Sequence, residues 1–182
     1  QFYELDTADR YISFGWESEE FNNTTTISHP KLLLKSRTDK LCERKILYIT
    51  SAPSRYFNRN WSSPIPGASM IEYYKNILAL VNAIEAPLRR DLSVRIAPTS
   101  YSYKVGVDKY LGAGIRLSTG DFYKEVEAAS VVICDHNQTS LIETIGSNIP
   151  TILVWNAYYN KMDPVAESFF AELTRVGIFY NC

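Results

Sequence analysis

Much that would define a function class at sight is missing from this 182-residue chain. Its three cysteines, Cys42, Cys134 and Cys182, stand far apart, with no CxxC pair and no Cys/His spacing of the kind that holds zinc. Cys134 sits inside an apolar run, where a free thiol packs as a small hydrophobe, and the cysteine usage fits a reducing compartment. No apolar run approaches the roughly 18 residues needed to cross a bilayer. The first residues, QFYELDTADRY, are polar, unlike a secretory signal. A start at Gln rather than Met points to processing, or to excision from a longer polypeptide. The formal net charge of −1 gives no general attraction to nucleic acid or anionic lipid. Neither GxGxxG nor GxxxxGK[ST] occurs, so the usual dinucleotide and P-loop fingerprints are absent. There is no internal repeat and no low-complexity segment. The Asn-x-Ser/Thr triplets at Asn22, Asn23, Asn60 and Asn137 are common by chance and carry no weight.

What is present is apolar content, 46% of residues, enough for one substantial core. Residues 17–45 are polar around an isolated LLL and read as a connector with one short helix. From 45 the rhythm changes. KILYIT (45–50), LSVRIAP (92–98), GIRLST (114–119), SVVICD (130–135) and PTILVW (150–155) are short β-rich apolar runs. Between them, Ile71, Tyr74, Leu78, Val81 and Ile84 recur at helical spacing after Ser69, with Pro87 as the stop. Residues 121–129 and 139–147 read as further helices, the first with Asp121 near its N-cap, and a weaker helical pattern covers 103–111. Asp163-Pro164 opens a last helix that Gly177 closes. Nearly uniform apolar strands alternating with helices predict a parallel sheet covered on both faces. The expected fold is therefore α/β: a Rossmann-like three-layer domain with a mostly parallel sheet of about five or six strands.

Such sheets bind ligands beyond the carboxyl ends of their strands, so the residues just after each strand matter most. After the first come Arg55 and Arg59 among aromatics, able to clamp phosphate bidentately or simply to pair with surface carboxylates. Arg95 and Arg116 lie within strands, where an unpaired charge is costly, and a structural ion pair is the expectation for both. The fourth strand runs into Asp135-His136-Asn137-Gln138-Thr139-Ser140. Ser140-x-x-Glu143 matches a capping box. A helix start at this edge also presents free amides and a partial positive charge, and the hydroxyls of Thr139 and Ser140 would complete a phosphate cradle. The fifth strand ends in Trp155-Asn156, followed by Tyr158 and Tyr159, either a lining for a base or sugar or ordinary packing.

The order of these motifs resembles the C-terminal, nucleotide-sugar-binding half of GT-B glycosyltransferases, and in particular bacterial surface-carbohydrate transferases. The likeness rests on Ser54-Arg55-Tyr56 after the first strand, on Asp135 through Glu143, and on Pro150 through Asn156, with ISFGW (12–16) similar to the family's lead-in. It implies a glycosyltransferase that builds a bacterial surface polysaccharide from a nucleotide-sugar donor, a CMP-sugar if the likeness to Kdo and sialic acid transferases extends so far. His29-Pro30 precedes the first strand, unlike the sialyltransferase His-Pro motif, and reads as connector.

By that likeness residues 1–44 are a lead-in from a missing N-terminal half, and 45–182 are the donor-binding domain. His136 is the candidate catalytic residue. Arg55, Arg59, Asp135, Asn137, Thr139, Ser140, Glu143 and Asn156 are the candidate substrate contacts. No metal and no cofactor beyond the donor are expected. The implied partners are the nucleotide-sugar, a glycan or lipid-linked acceptor and the N-terminal half, with no nucleic acid. The implied location is cytoplasmic, with a peripheral place at the inner membrane face as an option. Half an enzyme is expected to bind a donor without necessarily turning it over. Two alternatives stay open: a nucleotide-sugar epimerase or hydrolase of the same fold, and a non-catalytic Rossmann-like module.

Overall fold

The computed structural model describes residues 2–17, 20–29, 44–51, 69–96, 111, 115–156 and 164–182. The chain divides into two compact units, residues 1–36 and 37–182.

In the first unit, helix α1 (Phe2–Thr7) is followed by strands β1 (Tyr11–Phe14) and β2 (Thr24–Ile27), which pair in parallel with Tyr11 opposite Thr24. Residues 24–27, expected in a connector with one short helix, are thus a strand. Three consecutive threonines and an isoleucine supply the β-branched side chains that favour the extended backbone. Asn23 ties this strand's start to the α1 region, donating from Nδ2 to the carbonyls of Leu5 and Ala8, each at 2.7 Å.

In the second unit, β3 (Ile46–Ile49), β4 (Leu92–Arg95), β5 (Arg116–Ser118), β6 (Val131–Cys134), β7 (Thr151–Trp155) and β8 (Phe179–Asn181) form one sheet. Its spatial order is β5-β4-β3-β6-β7-β8, and every pairing is parallel. The five apolar runs are all strands. The sixth, β8, carries too little apolar sequence to be read as one. Its backbone is recruited by β7, Leu153 standing opposite Phe179.

Alternate residues of each strand enter opposite cores, as the pleat requires. Leu47, Ile49, Val132, Cys134, Leu153 and Trp155 pack with Val126 of α4 (Phe122–Ala128) and Leu141 of α5 (Thr139–Gly146). Partly buried Phe170 and Leu173 bring α6 (Pro164–Arg175) against the same face. Tyr48, Val94 and Ile133 meet Ile77 and Val81 of α2 (Ser69–Ala83) on the other. The result is a Rossmann-like α/β unit of three layers.

Two local expectations are corrected. The buried stripe of α2 centres on Ile77 and Val81, flanked by Tyr73, Tyr74 and Ile84, whereas Ile71 is exposed. Pro87 does not stop α2, which ends at Ala83; it lies in the first turn of α3 (Ala86–Arg89), where its missing N–H costs nothing. Asp121 does cap α4, accepting from the Lys124 amide at 3.0 Å. Gly177, at φ +73°, ends the α6 segment in the left-handed region that glycine adopts freely. The expected helix over 103–111 lies almost wholly outside the described residues.

The strand order carries functional weight. From β3 the chain steps outward to β4 and β5, then returns to the opposite side of β3 with β6. The order reverses between β3 and β6, and parallel sheets of this kind bind their ligands beyond the carboxyl ends of two such strands.

Candidate functional site

The β3–β6 ladder closes at the pair Ile49–Cys134. Immediately beyond it, Asp135 takes over the link with its side chain. Its Oδ1 accepts from the Ser51 amide at 3.0 Å, and its Oδ2 accepts from the hydroxyls of Tyr48 at 2.9 Å and Tyr73 at 2.7 Å. Tyr73 Oη also accepts from the Ser51 amide, at 2.7 Å. Burial pushes the Asp135 carboxyl up to about 7, although the two tyrosines and the Ser51 amide pull it down. Both tyrosine hydroxyls are held well above their ordinary range, first by burial and then by the neighbouring Asp135 charge.

Next in the chain, His136 is only 2% exposed. Its Nδ1 accepts from the Gln138 amide at 3.2 Å, which leaves the ring proton on Nε2. That Nε2–H faces Ser140 Oγ at 3.4 Å. Burial drives the imidazole down to about 4, so at neutral pH it is an uncharged donor. Asn137, Gln138 and Thr139 are exposed and Ser140 is half-buried. A polar, amide-bearing helix start therefore faces solvent with the imidazole behind it.

The capping box is not formed. Helix α5 begins at Thr139 with Gln138 as its N-cap, and no side chain caps it. Ser140 stands inside the first turn and Glu143 one turn further on. Glu143 is buried, and its Oε1 accepts from the Tyr123 hydroxyl at 3.2 Å, joining α5 to α4. Asn156 is half-buried just past β7. Arg55 and Arg59 lie outside the described residues, as do Tyr158 and Tyr159. Trp155 is a packing residue: it is buried, with ring centroids 4.7 Å from Phe179 and 5.5 Å from Phe170.

Arg95 ends β4 in the ion pair its strand position demanded. Its Nη1 donates to Glu125 Oε2 at 2.6 Å and to the Gly120 carbonyl at 2.8 Å, while the guanidinium lies over the Phe122 ring. Ser118 Oγ meets the same carboxylate oxygen. Gly120 permits this closure, because a Cβ there would stand 2.7 Å from Glu125 Oε1. Glu125→Gln is expected to cost about 2 kcal/mol in chemical denaturation, since it leaves a largely buried guanidinium without its counter-charge. Arg116 is exposed at the opposite, amino end of β5.

Sequence reasoning missed Tyr48, Ser51, Tyr73 and Tyr123. A signal existed for Tyr48. A tyrosine within an otherwise apolar strand must find a partner for its hydroxyl, and the polar residue ending a neighbouring strand is the natural one.

Fold and site together define a Rossmann-like protein whose polar residues gather at the switch point of a parallel sheet, on a helix start suited to an anion. Over residues 1–181 the chain matches the model of the LIC12162 family transferases, and it belongs to that family. No curated protein matches it. Among the described residues no helix is long and apolar enough to cross a membrane.

Proposed function

We propose that this transferase chain is the donor-binding half of a GT-B glycosyltransferase, holding a nucleotide-sugar for transfer to a glycan or lipid-linked acceptor in bacterial surface polysaccharide synthesis. The observation that carries the reading is the His136 imidazole. It is buried, neutral and fixed by the Gln138 amide as an Nε2–H donor toward the first turn of α5.

In this reading the amides of Thr139 and Ser140 lack an intrahelical acceptor and point outward with the dipole, and the two hydroxyls add donors. The His136–Ser140 contact is long at 3.4 Å, so the ring exchanges it readily for an anionic oxygen, a stronger acceptor. When the glycosidic bond to the nucleotide breaks, negative charge grows on the departing phosphate. Donors already aimed at that oxygen stabilise the transition state more than the ground state. A neutral imidazole does this without moving a proton. Asn137 borders the same anion. Asn156 lies at the sugar side, Arg55 and Arg59 add positive charge, and Glu143, buried against Tyr123, braces α5 beneath the site instead of reaching the ribose. A CMP-sugar is the donor class we favour.

Titration calorimetry with CMP, UDP and CDP tests this. One of them is expected to bind, and His136→Ala and Ser140→Ala each to weaken it about tenfold to a hundredfold, the loss of a hydrogen bond to a charged group. Unchanged affinity in both variants would remove the site. Turnover with an acceptor, assayed on the complete polypeptide, separates a transferase from an epimerase or hydrolase.

A further inference from the structure

The Asp135 carboxyl, a candidate substrate contact by sequence, is taken up by Tyr48, Tyr73 and the Ser51 amide, just where β3 and β6 part. Backbone pairing holds β3 to β6 as far as Ile49 and Cys134. Past that point β3 keeps its other neighbour, the Thr50 amide donating to the Arg95 carbonyl at 3.0 Å. On the β6 side, the Ser51 amide reaches Asp135 Oδ1, and the Tyr73 hydroxyl lies against both Ser51 and Asp135 Oδ2. Tyr73 belongs to α2, so one phenol joins a helix to the ends of both strands. His136 is the next residue after Asp135, and its ring is anchored only two residues further on, at the Gln138 amide.

We infer that Tyr73 is a positioning residue: through Asp135 it sets the spacing between the ends of β3 and β6, and so the place of the His136–Ser140 turn. Tyr48 supplies the contrast. Its hydroxyl also donates to Oδ2, but it rises from within β3 itself and has no bond to Ser51. Loss of either hydroxyl removes one hydrogen bond to the same carboxyl oxygen. Only loss of Tyr73's removes the link from α2 to both strand ends.

The inference rests on the donor-site reading for its functional consequence, and the experiment reads the two separately. Wild type, Tyr73→Phe and Tyr48→Phe would be compared by thermal midpoint, by the 15N resonances of the His136 ring without ligand, and by calorimetry with CMP, UDP and CDP. Both variants are expected to unfold at lower temperature, Tyr73→Phe by somewhat more because it also removes an acceptor of the Ser51 amide. Tyr73→Phe alone is expected to move the His136 ring resonances and to weaken nucleotide binding by about tenfold. Ring resonances and affinity left at wild-type values in Tyr73→Phe would overturn the positioning role while sparing the donor site. Equal shifts in both variants would also overturn it, assigning the effect to the carboxyl rather than the bridge. If wild type binds none of the three nucleotides, the donor reading falls, and the ring resonances still decide whether Tyr73 sets the turn.

Discussion

Replacing Asp135 by alanine is expected to lower the free energy of unfolding by about 3 kcal/mol, one of the largest single-residue effects in the second unit. Three buried donors converge on this carboxyl: the hydroxyls of Tyr48 and Tyr73 and the amide of Ser51. Left without an acceptor, each forfeits about 1–3 kcal/mol. Part is recovered, because the Ser51 amide keeps the Tyr73 oxygen at 2.7 Å and a carboxyl no longer has to be desolvated. Asn keeps one acceptor oxygen, so Asp135→Asn should lose only about half as much. Urea titrations check this: the midpoint falls while the denaturant slope is unchanged. An alanine variant as stable as wild type would mean that the two tyrosines and Ser51 do not depend on the carboxyl.

Opposite pH dependences are expected from two adjacent residues. The Asp135 carboxyl titrates at about 7 when folded, against about 3.9 in an unfolded chain. Between those values the folded state keeps a proton that the unfolded state has released. Its contribution to stability is therefore complete below the unfolded value and lost as pH rises through the folded one. His136 runs the other way, at about 4 folded against about 6.5 unfolded. Between those values the unfolded chain takes a proton that the buried ring refuses, so its contribution is present above the unfolded value and lost as pH falls.

Each slope approaches about 1.4 kcal/mol per pH unit, and from pH ~4 to ~6.5 they nearly cancel in the wild type. Single variants uncover them. Relative to wild type, Asp135→Asn should gain stability as pH rises across this interval, and His136→Gln should lose it. Denaturation midpoints at half-unit pH steps give both curves. Two difference curves of the same sign would show that at least one of these groups is not held as its burial implies.

Much of this was legible before any coordinates. Uniformly apolar strands such as VVIC and ILYI can only belong to a sheet covered on both faces, and they alternate with helical segments, so a parallel three-layer unit follows. The ion pair of Arg95 was legible for a similar reason: a guanidinium in a half-buried strand demands a counter-charge, which Glu125 supplies. The polar turn after β6 announced itself through the abrupt end of an apolar run. β8 did not, because a three-residue edge strand draws its stability from pairing with β7 rather than from its own composition.

The capping box shows a different limit. Ser140 and Glu143 have the right spacing, but spacing says nothing about where a helix begins. The chain leaves β6 through Asp135, which is pinned to the end of the neighbouring strand β3, and His136, which takes the Gln138 amide. Helix α5 therefore starts at Thr139, and both motif residues fall inside it. Tyr73 escaped notice because it lies 62 positions from Asp135 and outside the stripe of Ile71, Tyr74, Leu78, Val81 and Ile84 that the helical spacing picked out.

What the sequence determined by itself was thus the fold class, the edge of the sheet where polar residues gather, and the chemical kinds found there. Those are properties of short segments, set by apolar period and local composition. Tertiary structure alone decided which donors share the Asp135 carboxyl, which ring nitrogen of His136 keeps its proton, and where the helix behind it starts. Each of these depends on which distant segments the strand order makes neighbours, and it is the reversal between β3 and β6 that brings them together.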